Sequence, residues 1–188
     1  SAFGAQYDSL ADMLSFGVAP PLLAYNWDAL YFAPLGWSKL AWLSAFIFAA
    51  CVALRLARFN VQLDTPVESK KAKRYFYGLP CPAAAALVTS FIWLCNIHGY
   101  QGPGVSVLLV LMLLLSSYLM VSNVHFRSFK DIDLKENIRF TYLVSIIFVV
   151  AGVWWHPAEA LFLLFGAFVC SGPIGSLVLY LRKGRHAA

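Results

Sequence analysis

Charge is what this sequence lacks most. Asp, Glu, Lys and Arg make up 12% of its 188 residues and apolar types 61%, against roughly 25% charged residues in soluble domains. The few charges are clumped: none occurs between Arg74 and Arg127, between Arg139 and Glu159, or between Glu159 and Arg182. A soluble fold of this length cannot hide so much apolar surface in one core. Each charge-free run can hold one or two of the ~20-residue apolar stretches that cross a ~30 Å hydrocarbon layer. The alternating polar residues of a barrel strand are also missing, which leaves helices as the spanning elements. Cysteine is scarce, with four residues (Cys51, Cys81, Cys95, Cys170) and no C-x-x-C spacing. These read as small apolar packers rather than metal or redox groups. Internal repeats, low-complexity linkers and a signal-peptide pattern are absent, and because the chain opens on Ser1 inside a motif, further residues are expected upstream.

The expected fold is an all-α, polytopic transmembrane helical bundle forming a single membrane-embedded domain over 1–188. Six spans are expected, at roughly 5–26, 38–57, 81–99, 104–122, 140–156 and 160–181. Pro103 between Gly102 and Gly104 predicts a tight turn between the third and fourth spans, as does His156-Pro157 between the fifth and sixth. The net charge of +5 does not point to nucleic acid, because of where the basic residues fall. Arg55, Arg58, Lys70, Lys71, Lys73 and Arg74 follow the second span, Arg127, Lys130, Lys135 and Arg139 the fourth, and Arg182, Lys183 and Arg185 the sixth. Only Lys39 falls on the other side, so the positive-inside rule makes the basic side cytoplasmic. Trp27, Tyr31, Trp37, Tyr100, Trp154 and Trp155 form an aromatic belt at the opposite face. The expected partner is therefore a lipid bilayer, the cytoplasmic (inner) membrane, with both chain ends in the cytoplasm.

Within the first expected span, Gly4, Asp8 and Asp12 are spaced by four and so share one helix face, with ~6 Å of rise per step. Two acids followed at once by apolar sequence sit at the membrane boundary, where ionisable groups are costly and mark functional sites. The spacing has two readings. The pair can hold a hard divalent cation through carboxylate oxygen, with Gly4 allowing close approach of a ligand. Alternatively, the acids complement the dipole at the start of a helix and face water.

G-x-x-x-D-x-x-x-D is the second half of the CDP-alcohol phosphotransferase signature D-x-x-D-G-x-x-A-R-x8-G-x-x-x-D-x-x-x-D, which Gly4, Asp8 and Asp12 match. The stretch from Asp8 through Ser15, Phe16 and Gly17 to Pro20, the segment Arg55-Leu-Ala-Arg58-Phe59-Asn60, the segment Tyr77-Gly78-Leu79-Pro80-Cys81-Pro82, and Val121-Ser122-Asn123 resemble the phosphatidylserine synthase branch of that family. The first half of the signature lies upstream of Ser1, so the resemblance implies an N-terminally truncated domain and about eight spans in the complete protein. It implies transfer of the phosphatidyl group of CDP-diacylglycerol to L-serine with release of CMP. It also implies two Mg²⁺ or Mn²⁺ ions, with Asp8 and Asp12 as metal ligands and Asp12 as the catalytic base. Gly4, Ser15, Arg55, Arg58 and Asn60 would then bind substrate, and a homodimer is expected because dimers are usual in the family.

Each of these residues also has a plain role. Arg55 and Arg58 can bind oxyanions with their planar forks or snorkel to headgroups as topology determinants. Ser15 and Gly17 suit either substrate contact or close helix packing. Lys70, Lys71, Lys73 and Arg74 read as a solvated face attracted to anionic lipid. Pro20-Pro21 predicts a kink, and Tyr77 to Pro82 predicts a rigid non-helical lead into the third span, on the side of a pocket wall. The same chemistry with glycerol phosphate, inositol or choline as acceptor is the neighbouring reading. A transporter or a membrane scaffold is the reading from another class.

Overall fold

The structure is a computed structural model that describes residues 2–32, 38–63, 75–122, 124–127, 144 and 152–185. It is a helical bundle. Helix α1 (Ala2–Asp12) continues through a six-residue π-helical segment (Met13–Val18) into α2 (Ala19–Phe32). Next come α3 (Ser38–Leu63), α4 (Cys81–His98), α5 (Pro103–Val121) and α6 (Pro157–Arg185).

The number of spans is the main correction to the sequence reading. Among the described residues three helices are long and apolar enough to cross a membrane, Ser38–Val61, Cys81–His98 and Pro103–Val121, not six. The first expected span, 5–26, falls on α1, the π segment and α2, of 11, 6 and 14 residues, none of spanning length alone. The cause is local. Pro20 and Pro21 have no N–H to return to the carbonyls of Phe16 and Gly17, and the ladder slips to wider rings, with Ala19 N–H bonding Leu14 O five residues back. The double proline therefore widens the helix into a π turn rather than simply kinking it. The sixth expected span lies on α6, whose described apolar stretch ends after 17 residues at Pro173. Most of the fifth, 140–156, lies outside the described residues. Gaps between charges overcount spans because they include turns and interrupted helix along with continuous helix.

The ends of α4 and α5 follow from their sequence. Pro82 sits in the first turn of α4, where a missing N–H costs nothing, and the run Ala83 to Ala86 has the highest helix propensity. Gly99, at φ +65°, closes α4 in the left-handed conformation that glycine allows. Both Gly99 N–H and Tyr100 N–H return to Cys95 O. Pro103 then opens α5.

Helix α4 is the centre of the bundle: 56% of it is buried against 22% of the α3 span. Its Ala84, Val88, Phe91, Ile92 and Cys95 join Phe48 and Val52 of α3, Leu109 and Leu113 of α5 and Val169 of α6 in one core. Phe91 meets Phe162 of α6 with ring centroids 5.6 Å apart. Outward faces of α3 and α5 stay apolar, with Trp42, Phe46, Leu54, Leu108, Leu111 and Leu115 exposed, the pattern of a surface solvated by lipid rather than water. Hydroxyls on these helices mostly bond back along their own turn: Ser44 donates to Ala41 O, Ser90 to Leu87 O and Ser117 to Leu113 O.

One short β pairing lies outside the all-helical expectation. β1 (Tyr75–Tyr77) runs antiparallel to β2 (His125–Arg127), with Phe76 opposite Phe126. It joins the lead into α4 to the segment after α5, at the end of the bundle where Arg55 of α3 also reaches Met120 O in the last turn of α5, so that parts of α3, α4 and α5 are gathered there.

At the far end α4 is tied to α6. His98 Nε2 lies 2.9 Å from Glu159 Oε1, and His156 Nδ1 lies 3.6 Å from the same oxygen. The Glu159 carboxyl is held below its ordinary 4.5, first by a backbone N–H and then by His98. A carboxylate with a lowered folded value adds stability that is present above the ordinary value and is lost as pH falls through the folded one. Melting of the detergent-solubilised protein should therefore show a small Glu159→Gln deficit near neutral pH that disappears in acid. An equal deficit at every pH would mean the tie is not ionic.

Candidate active site at the acid helix

Every side chain of the site comes from the gathered end. Helix spacing puts Gly4, Asp8 and Asp12 along one face of α1, with Gly4 and Asp8 exposed and Asp12 half-buried at the junction with the π segment. The Asp12 carboxyl is pushed above its ordinary 3.8, first by burial and then by the negative charge of Asp8. The two acids thus feel each other, and α1 presents a negative field that a cation relieves.

The π segment seats this helix. Gly17 is buried, and a Cβ there would come within 3.0 Å of Val52 Cγ1 on α3 and 2.7 Å of Met13 Sδ. Close approach at Gly17 is therefore a packing device between α1–α2 and α3. Ser15, in the same segment, is exposed.

Helix α3 runs on to Leu63, past its expected end at 57, so Arg58 and Asn60 are helical. Arg55 and Asn60 are five residues apart, ~140° around the helix, and reach different neighbours. Arg55 Nη1 donates to Met120 O in the last turn of α5, at 3.3 Å, where a cation complements the helix dipole. Asn60 faces α1: its Nδ2 donates to Ser9 Oγ at 3.0 Å, and the hydroxyl faces Asn60 Oδ1 at 3.3 Å. Arg58 is exposed and within electrostatic reach of Arg55. Cys81, buried at the start of α4, is within electrostatic reach of both Arg55 and Asp12.

Beside Arg55 the chain makes a close crossing. Gly78 has φ +79°, and a Cβ on it would lie 2.5 Å from Met120 O and 2.9 Å from Arg55 Nη1. Gly78 N–H bonds Val124 O at 2.9 Å and Leu79 N–H bonds Leu119 O at 3.0 Å. The lead into α4 is therefore laced to the end of α5, and Arg55 is wedged at the lacing.

Of the residues expected from sequence, Asp8, Asp12, Arg55, Arg58 and Asn60 thus lie at one end of the bundle. Gly4 and Ser15 are exposed on the same helical run as the acids. Lys70, Lys71, Lys73, Arg74, Lys130, Lys135 and Arg139 lie outside the described residues. Sequence reasoning missed Ser9 as the partner of Asn60, and the Met120 carbonyl that holds Arg55. Only Gly78 left a signal, a glycine two residues before a proline.

These features define a helical membrane protein with a carboxylate pair and an arginine pair gathered at one end of its spans. The comparisons identify the class: residues 1–154 match the CDP-alcohol phosphatidyltransferase family. The chain is 35% identical over 182 residues to a CDP-diacylglycerol–serine O-phosphatidyltransferase of Helicobacter pylori, covering 97% of this chain and 71% of that protein. It is similar to enzymes of the same name from Methanocaldococcus jannaschii, at 34% identity over 81% of this chain and 62% of that one. The Mycobacterium tuberculosis enzyme is 29% identical, over 92% of this chain and 58% of its own length. The chain belongs to the CDP-alcohol phosphatidyltransferase family, and its chemistry is the transfer of a phosphate-linked group from a CDP-activated alcohol.

Proposed function

We propose that the protein transfers the phosphatidyl group of CDP-diacylglycerol to the hydroxyl of L-serine, giving phosphatidylserine and CMP. One observation carries this reading: the two mutually interacting acids of α1 stand at the same end of the bundle as Arg55 and Arg58. The serine acceptor is supported by the similarity over nearly the whole chain to relatives of that activity.

The donor set fits a divalent cation. Asp8 and Asp12 supply hard oxygen, and their mutual repulsion is what Mg²⁺ or Mn²⁺ would offset. Among the described residues no group of three or more His, Cys, Asp or Glu side chains completes the site. Two ions therefore need further ligands from outside them, as the upstream aspartates of the family signature imply. When bound, such ions offset the charge of the pyrophosphate and of the leaving CMP.

The protein's own groups do the rest. Asp12, whose surroundings raise its proton affinity, accepts the proton of the serine hydroxyl as that oxygen attacks the phosphatidyl phosphorus and the bond to CMP breaks. Arg58, with Arg55 one turn away on the same helix, neutralises phosphate oxygens or the serine carboxylate. Gly4 and Ser15 lie along the path of the substrate. The apolar outer faces keep the acyl chains in lipid while the polar end meets soluble serine. The basic residues of that end favour a cytoplasmic-facing site in the inner membrane, and the working form is taken to be a homodimer.

The direct test is CMP release from CDP-diacylglycerol with L-serine, glycerol phosphate, inositol or choline, each with and without Mg²⁺ or Mn²⁺. Turnover with serine, abolished by chelation, is expected. Turnover with a different alcohol and none with serine would reassign the acceptor.

A further inference from the structure

The pair Ser9–Asn60 links the acid helix to the arginine helix through side chains, bridging 51 residues of sequence. Ser9 lies next to Asp8 and three residues before Asp12, so fixing Ser9 fixes both the rotation and the height of the acid pair. Asn60 lies two residues after Arg58 and on a different side of α3 from Arg55, which is itself anchored to α5. A residue that bound substrate through its amide would turn that amide toward the ligand. In Asn60 both the amide nitrogen and the amide oxygen face one serine hydroxyl.

We infer that Asn60 is a positioning residue that, through Ser9, registers the carboxylates of α1 against the arginines of α3, so that both act on the same pyrophosphate. This inference rests on the reading that Asp8 and Asp12 hold cations and that Arg55 or Arg58 holds phosphate. Registration of this kind acts on turnover: a misplacement of about 1 Å at a site of this type can cost on the order of a hundredfold in rate. It leaves the acceptor's own contacts intact.

The test is a double-mutant cycle on the full-length protein in detergent, with Ser9→Ala, Asn60→Ala and the pair together, and Ser9→Thr as the hydroxyl-retaining variant. Three quantities are read: kcat and the KM for serine, Mn²⁺ affinity by electron paramagnetic resonance without substrate, and Tm. Each single alanine variant should lower kcat about tenfold to a hundredfold with the KM for serine unchanged, and should weaken Mn²⁺ binding several-fold. The double variant should be no worse than either single one, because the pair acts as a unit, and Ser9→Thr should retain most of the activity. A raised KM in Asn60→Ala with a silent Ser9→Ala would make Asn60 a substrate ligand and overturn the inference. So would additive losses, or variants that match the unaltered protein in kcat and Mn²⁺ affinity. Losses that track Tm alone, Ser9→Thr included, would reduce the pair to ordinary packing and overturn it too. Failure of the parent reading looks different, since the unaltered protein would then neither bind Mn²⁺ nor release CMP.

Discussion

Asp12→Asn should lower CMP release by about three orders of magnitude or more while leaving the fold as stable as before. Two losses combine in the rate. A general base contributes on the order of 10²–10⁴, and the same substitution removes one of the two oxygen donors that α1 offers to a cation. Asp8→Asn loses only the second of these roles, so raising Mg²⁺ should recover Asp8→Asn more fully than Asp12→Asn. Stability should move the other way. Burial and the charge of Asp8 both disfavour ionised Asp12, so a neutral side chain of the same shape relieves the folded state. With metal removed, the Tm of Asp12→Asn should equal or exceed that of the parent. A variant that is both inactive and markedly less stable would make Asp12 structural. One with near-normal turnover would end its assignment as the base. The reading therefore predicts a specific combination, activity lost and stability kept, that a mere helix-start acid does not produce.

How much of this was visible in sequence depends on the range over which each feature acts. Helices α4 and α5 were legible because Gly102, Pro103 and Gly104 punctuate one long uncharged run. The acid pair was legible because four-residue spacing is a local property of one helix. The first span was misjudged, although its cause, Pro20-Pro21, was in plain view: hydrophobicity reports whether a segment prefers lipid, not whether its hydrogen-bond ladder keeps one period. The β1–β2 pairing was not legible, since three-residue strands some fifty residues apart carry no periodicity. Neither were the links that assemble the site. Ser9 and Asn60 are ordinary polar residues until two helices cross, and Arg55 is held by a backbone carbonyl, which every residue has. The chemistry was thus written in local motifs, whereas its registration exists only through space.

Gly78 carries the largest expected structural effect. Gly78→Ala should destabilise the protein by about 2–5 kcal/mol and disable the site along with the fold, from two costs that add. The first is conformational: a side chain at φ +79° is forced into the left-handed region, for about 1–2 kcal/mol. The second is steric. The new Cβ would sit 2.5 Å from Met120 O and 3.1 Å from Ser122 O, both backbone atoms, and 2.9 Å from Arg55 Nη1. Backbone cannot swing aside as a flexible side chain can, so the lead into α4 must move off the end of α5, for a further 1–3 kcal/mol, roughly the cost of overpacking. That motion stretches the Gly78–Val124 and Leu79–Leu119 hydrogen bonds and dislodges Arg55 from Met120 O. Gly99→Ala is the control. Gly99 has a similar φ of +65° but nothing within 4 Å of an added Cβ, so it should lose only the conformational part and keep its turnover. Thermal unfolding of both variants in the same detergent, with CMP release alongside, separates the two costs. Equal losses in the two would mean that the crossing at Gly78 is not tight, and that Arg55 is held in place by something other than the lacing of α4 to α5.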